Sequence, residues 1–300
     1  MERELWPGLY HELQEAAQQT HQKNVHYHPW VIAAVLLWAA LHDRPTNWAC
    51  DPLNWSTTTL RPPEIPSEAT MSRRTKKVAF AVFFNHLVAR LRQPGPVERE
   101  LIIDGKPLPV GHCSKDPDAR PGGLGKGYKL HALWGRDGLP EAWELTSMGE
   151  YEGTVAQRLF SRIEGTGIIL ADGNYESSEL YDAAAAACYQ LVAHPDARDT
   201  GAGHRYQSPY RLRALRWFAE GLGWKLYRGR TDIERAFGNA GSFAGGLGPL
   251  PNWVRRLGRV ERWVGCKLII NAHRILHKQE HLRKMKSVGC PGLGCPRLSA

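Results

Sequence analysis

The chain has 300 residues, 42% of them hydrophobic and 23% charged, with a net charge of +9 and a pI near 9.3. That length supports a real core in one large domain or two modest ones, and the six scattered cysteines belong to a chain too long to need disulfide staples. The excess of Lys and Arg favours a polyanionic partner, nucleic acid being the commonest, over a basic enzyme without one.

Residues 2–22 read as a helix with Leu5, Leu9, Leu13 and Ala16 on one face. Pro29 opens a second helix through Leu41. Its apolar stretch, Trp30 to Leu41, is too short to span a bilayer and reads as buried. With no secretory pattern at the first residues, a cytoplasmic protein with no membrane association is expected. Asp51-Pro52 and Arg61-Pro62-Pro63 break the chain before an apolar helix over Val78–Leu91.

Pro66 to Arg74 is small, polar and then basic. It resembles the turn and recognition helix of helix-turn-helix proteins, which makes Arg73 and Arg74 candidates for DNA contact; the alternative is a capped surface helix. Gln93-Pro94-Gly95-Pro96 marks a linker, so residues 1–95 are expected to be an all-helical N-terminal region and 96–280 a second domain. A flexible tail is expected over 281–300, with Cys290 and Cys295 spaced too widely for an ordinary zinc knuckle.

Beyond the linker the pattern changes to strands at Glu100–Asp104, Gly127–Trp134 and Glu141–Thr146, with 105–126 largely loop. A helix over 152–164, a strand at Ile168–Ala171, a helix over Ser177–Cys188 and a strand at Gln190–Ala193 follow. A basic helix near 210–220, a helix carrying Glu234 and a long helix over Asn252–His277 complete the order. Three meandering strands followed by alternating units give an α/β fold of RNase H-like order: a mixed sheet flanked by helices behind an all-α N-terminal region.

Asp104 and Asp172 each close an apolar run. Carboxylates there are costly unless their charge is offset, and a divalent cation offsets it. Asp-Gly after a strand is also a common turn, so each aspartate alone is a weak signal. The third acid, Glu234, lies in Tyr227-x2-Arg230-x3-Glu234. This element resembles the Tyr-x2-Arg-x3-Glu-x6-Lys signature of the DDE transposases of bacterial insertion sequences. Leu101–Gly105, Ile169–Tyr175 and Leu268–Ala272 resemble other segments of that family, over about 100–275. The chain departs at its end: Gly241 stands where the family has Lys.

The resemblance implies a transposase that cuts and transfers DNA strands, with Asp104, Asp172 and Glu234 as catalytic residues and ligands of two Mg²⁺ ions, for which Mn²⁺ substitutes. It implies the element's terminal inverted repeats and target DNA as partners, a homodimer on DNA and a nucleoid-associated bacterial location. Tyr227, Arg230 and Arg235 become expected DNA contacts. So does Arg213, in a basic, aromatic-interleaved stretch from His194 to Trp217 that suits a DNA backbone track. The alternative is a catalytically decayed or repurposed sequence-specific DNA-binding protein, to which Gly241 lends weight. Asp116 and Asp118 are expected to be solvated loop residues, and His131 structural.

Overall fold

The computed structural model describes residues 2–20, 25–92, 98–135, 139–195, 206–241 and 246–288. Cys290 and Cys295, and the Arg198–Arg205 part of the basic stretch, lie outside them.

The N-terminal region is helical: α1 (Glu2–Gln19), α2 (Pro29–Leu41), α3 (Thr46–Ala49), a 3-10 turn at Pro52–Trp55, α4 (Glu68–Arg74) and α5 (Val78–Leu91). The α2 sequence is apolar on every side, and the helix is accordingly buried nearly throughout. Pro29 pre-sets its first turn, and the His28 ring accepts the orphan N–H of Trp30. Around α2 an aromatic cluster forms. Trp38 stacks on Trp55 at 4.7 Å between centroids and meets Trp6 edge-on at 4.8 Å.

One mixed sheet follows, made of β1 (Glu98–Pro109), β2 (Arg120–Gly122), β3 (Gly125–Trp134), β4 (Pro140–Ser147), β5 (Thr166–Ala171) and β6 (Tyr189–Ala193). β3 pairs antiparallel with β1, β2 and β4, while β1–β5 and β5–β6 are parallel. The helices are α6 (Glu152–Phe160), α7 (Ser178–Ala186), α8 (Pro209–Ala219), α9 (Leu222–Tyr227), α10 (Thr231–Gly241) and α11 (Leu257–Val288). The mixed sheet and its interleaved helices match the expected α/β class.

Strand alternation divides the core. Leu101, Ile103, Ile169, Ala171, Leu191 and Ala193 face α6 and α7 in one cluster. Ile102, Leu170 and Val192 face the other way, into a cluster shared with α10, α11 and the N-terminal helices. The same apolar core therefore runs from Leu5 and Trp38 to the sheet.

Three expectations are corrected. The 105–126 segment is not mostly loop, because β1 continues to Pro109 and β2 pairs with β3. Asp104 thus lies inside β1, opposite Ala132, and not at a strand end. Asp116 is buried: its carboxylate accepts the Tyr128 hydroxyl at 2.6 Å and the Arg256 N–H at 3.0 Å. Asp118 accepts the Leu257 N–H at 3.0 Å, so this acidic loop satisfies orphan N–H groups where α11 starts. Finally, α11 begins at Leu257 and continues to Val288, past residue 281 where a tail was expected.

His131 is buried on β3 and shares a hydrogen bond with the Thr146 hydroxyl at 3.0 Å. Burial lowers its pKa from the ordinary value near 6.5 to about 4. The unfolded chain therefore takes up the proton first. Stability is full above about pH 6.5 and is lost as pH falls toward 4, by on the order of 3 kcal/mol at that end. His131→Gln should flatten the acid limb of a pH–denaturation curve between those values; an unchanged limb would contradict a neutral buried imidazole.

Candidate active site

Two acidic residues meet through register. The parallel β1–β5 pairing ends at Ile102 and Leu170, two residues before Asp104 and Asp172, so the two aspartates leave the paired strands at the same end. Asp172 is still extended (φ −79°, ψ 178°) as it leaves β5. By alternation Asp104 shares the face of Ile102, and Asp172 that of Leu170. Both carboxylates thus belong to the sheet face that α10 and α11 cover.

Each aspartate is fixed locally. Asp104 Oδ1 accepts the Gly105 N–H at 2.7 Å, and Asp172 Oδ1 accepts the Asn174 N–H at 2.9 Å. The Asx turn at Asp172 caps the 3-10 turn of Gly173–Tyr175. Burial raises the Asp104 pKa; the Gly105 N–H and Arg230 oppose that shift, and the Asp172 charge adds to it.

Arg230 stands between the two. Its Nη2 is 3.8 Å from Asp104 Oδ2 and 3.8 Å from Asp172 Oδ2. It is held by the 3-10 turn of Arg228–Arg230, which can approach the strands because Gly229 has no side chain. A Cβ there would lie 2.6 Å from Glu100 Oε1 and 3.2 Å from Leu170 Cδ1. Tyr227 precedes it among Phe218, Trp224 and His194, and its ring centre is 6.0 Å from the Arg230 guanidinium.

Lys129 joins them from β3. Its side chain crosses Gly105, where a Cβ would lie 2.3 Å from Lys129 Cε. Lys129 forms an ion pair with Glu152. Burial lowers its pKa, while Asp104 and Asp172 push the other way. The Tyr175 hydroxyl is buried near both aspartates with no hydrogen-bond partner, and burial raises its pKa. Arg230 Nε is likewise buried and unpartnered.

Glu234 is elsewhere on the same face. It is exposed in the first turn of α10, whose Ile233, Phe237 and Ala240 are buried. Phe237 packs on Trp134 at 5.3 Å and seats α10 against β1. Arg230 lies in the 3-10 turn that leads directly into α10, four residues before Glu234. Among the described residues, no group of three or more His, Cys, Asp or Glu is gathered closely enough to hold a metal. Gly241 ends α10 against the Leu247 carbonyl.

The expected DNA contacts divide. Arg213 is exposed beside the Tyr210 ring at 5.4 Å. Arg235 is exposed but paired with Asp232 at 2.7 Å. Arg73 is exposed and folds back onto the Ala69 carbonyl and the Thr70 hydroxyl, whereas Arg74 is half-buried. Arg211, in the same basic stretch, is withdrawn into a buried ion pair with Glu176 at 2.5 Å. α4 is capped by Ser67 and separated from α5 by the three residues Thr75–Lys77.

Sequence reasoning missed Lys129, Glu152 and the Tyr175 hydroxyl as parts of this site. One signal was available for Lys129: Gly105, read as half of a turn dipeptide, is the gap through which its side chain reaches the aspartates.

Two neighbouring carboxylates are the kind of oxygen ligand a hard divalent cation takes, and the Arg230 guanidinium stands between them here. No helix of the described residues is long and apolar enough to cross a membrane. Among known proteins, a cryo-EM structure of a piggyBac transposase synaptic complex with hairpin DNA is similar over 97% of this chain and 80% of that one, at 10% identity and a TM-score of 0.39. No curated protein matches. The sequence profile of the transposase DDE domain matches residues 95–271, more than half of the chain. Transposases of this type act on DNA and generally use divalent metal ions; the chain belongs to the transposase DDE domain family.

Proposed function

We propose that this chain cuts and transfers the DNA strands of an insertion sequence at a site made by Asp104, Asp172 and Glu234 on an RNase H-like sheet. The observation that carries the reading is the Arg230 guanidinium 3.8 Å from both Asp104 and Asp172, just beyond the point where the β1–β5 pairing ends. Asp104 and Asp172 would hold the metal, with Glu234 from α10 completing the set. Two Mg²⁺ ions, or Mn²⁺ in their stead, would supply Lewis-acid stabilisation of the attacking and leaving oxygens when bound. The protein's own part is positioning and charge. Lys129 and Arg230 are cations within the site that can bind a phosphate's non-bridging oxygens, which supports phosphoryl transfer without a protein nucleophile. Hydrolysis at the element's end frees a 3′-hydroxyl, which then attacks target DNA.

Residues 1–95 would recognise the terminal inverted repeats through α4, residues 96–280 would carry the chemistry, and two copies would act together on DNA near the nucleoid. Tyr227, Arg235, Arg213, Arg73 and Arg74 are assigned to DNA contact, with Arg235 first released from Asp232. A second reading has its own support: Glu234 stands apart from the aspartates, and Gly241 occupies the family's lysine position. Both features suit a decayed, DNA-binding descendant. Mg²⁺-dependent nicking of the element's terminal repeat separates the two. Cleavage that Asp172→Asn and Glu234→Gln abolish supports the enzyme, whereas binding without cleavage by the unaltered chain supports the descendant.

A further inference from the structure

A cavity of about 410 Å³ lies between the N-terminal helices and the start of α11, lined by residues of α2, α4 and α11 and by Trp253. Its charge is one-sided: Arg44, Lys76, Arg259 and Arg262 line it against one acid, Glu68. Arg262 is the informative member. It is half-buried, burial lowers its pKa, and its guanidinium makes no hydrogen bond or ion pair among the described residues. Glu261 attracts it and Arg259 repels it, and a partly desolvated cation among other cations is costly unless an anion meets it. Two indoles, Trp253 and Trp263, share the cavity. One side of Trp263 is taken by the Lys267 ammonium, 4.6 Å from the ring centre. Trp253 is 40% exposed, on a segment pinned by hydrogen bonds from Arg259 to the Trp253 carbonyl and from Arg255 to the Pro251 carbonyl.

A rigid aromatic platform beside a cluster of cations matches a ligand that is flat and apolar at one end and anionic at the other. We propose that this cavity is a nucleotide subsite that takes one unpaired nucleotide of a DNA strand, its base stacked on Trp253 and its phosphate on Arg262. The inference rests on the DNA-processing reading above, but not on the carboxylate site.

The test is fluorescence anisotropy with a labelled single-stranded oligo-dT and a duplex of equal length, using the full chain and the variants Trp253→Ala and Arg262→Gln. Base stacking on an aromatic side chain is worth about 1–3 kcal/mol, so each variant should weaken single-strand binding by about 10-fold and duplex binding by less than about 2-fold. Trp253→Phe, which keeps a stacking face, should recover most of the loss. Single-strand affinity unchanged in both variants, with thermal melting also unchanged, overturns the proposal. So does a result in which free dTMP binds Trp253-dependently while the single strand ignores both substitutions, since the site would then serve a free nucleotide. Asp104→Asn separates the two claims. If that variant still cleaves DNA, the catalytic reading fails and the cavity stands; if it is inactive and the cavity variants bind normally, the reverse holds.

Discussion

Asp104→Asn should bind terminal-repeat DNA within about 2-fold of the unaltered chain, yet cleave it on the order of 10³-fold more slowly in Mg²⁺. The amide is nearly isosteric and can still accept the Gly105 N–H, so β1 and its pairing with β3 should survive. What is lost is one of the two charges that face each other across Arg230. A neutral amide is a poorer ligand for a hard cation than a carboxylate. Neither Lys129 nor Arg230 can replace it, both being cations themselves. The DNA contacts assigned to Arg73, Arg74, Arg213, Tyr227 and Arg235 lie on elements other than β1, which is why binding and cleavage should part. Gel-shift and nicking assays on one protein preparation read both quantities. Strand transfer at the unaltered rate would remove Asp104 from the chemistry.

The second large effect concerns stability. Trp38→Ala should lower the melting temperature by about 10 °C, from a cost of about 3–5 kcal/mol for emptying a buried indole's volume and about 2–4 °C per kcal/mol in a chain of this size. Trp38 is fully buried, stacked on Trp55, edge-on to Trp6, and donates its indole N–H to the Asn54 carbonyl at 3.0 Å. Two other segments, α1 and the Pro52–Trp55 turn, therefore lose a shared partner at once. The cluster is continuous through Val260, Val264 and Leu268 of α11 to Ile102 and Leu170 of the sheet. Melting should accordingly remain one transition, displaced as a whole. An early separate transition of the helical region, with the sheet's transition unmoved, would show that the two cores are energetically independent.

Much of this architecture was legible because burial leaves a mark on residue order. The all-round apolar α2 and the doubly buried β5 could be read directly, and so could the strand order. Asp104 was located wrongly within its strand because Lys106, Pro107 and Pro109 break the alternation that marks a strand, and Asp-Gly imitates a turn. Asp116 looked solvated because nothing local reveals that the start of α11, 140 residues further along the chain, comes with Tyr128 to meet it. The pairing of Asp104 with Asp172 depends on register, which a single sequence does not encode locally. Lys129 escaped notice because its role comes from a neighbour's missing side chain. Tyr227 and Arg230 did mark the segment that approaches the aspartates, but spacing alone could not reveal that Glu234 is exposed on α10.

The central claim is that Asp104 and Asp172 together bind a divalent cation, and thermal denaturation with and without Mg²⁺ or Mn²⁺ tests it without requiring a DNA substrate. A cation that binds only the folded chain should raise the melting temperature progressively with its concentration, by about 2–4 °C for each kcal/mol of linkage. In Asp104→Asn and in Asp172→Asn that rise should shrink to near zero. An equal rise in the unaltered chain and in both variants would place the cation elsewhere and contradict the account.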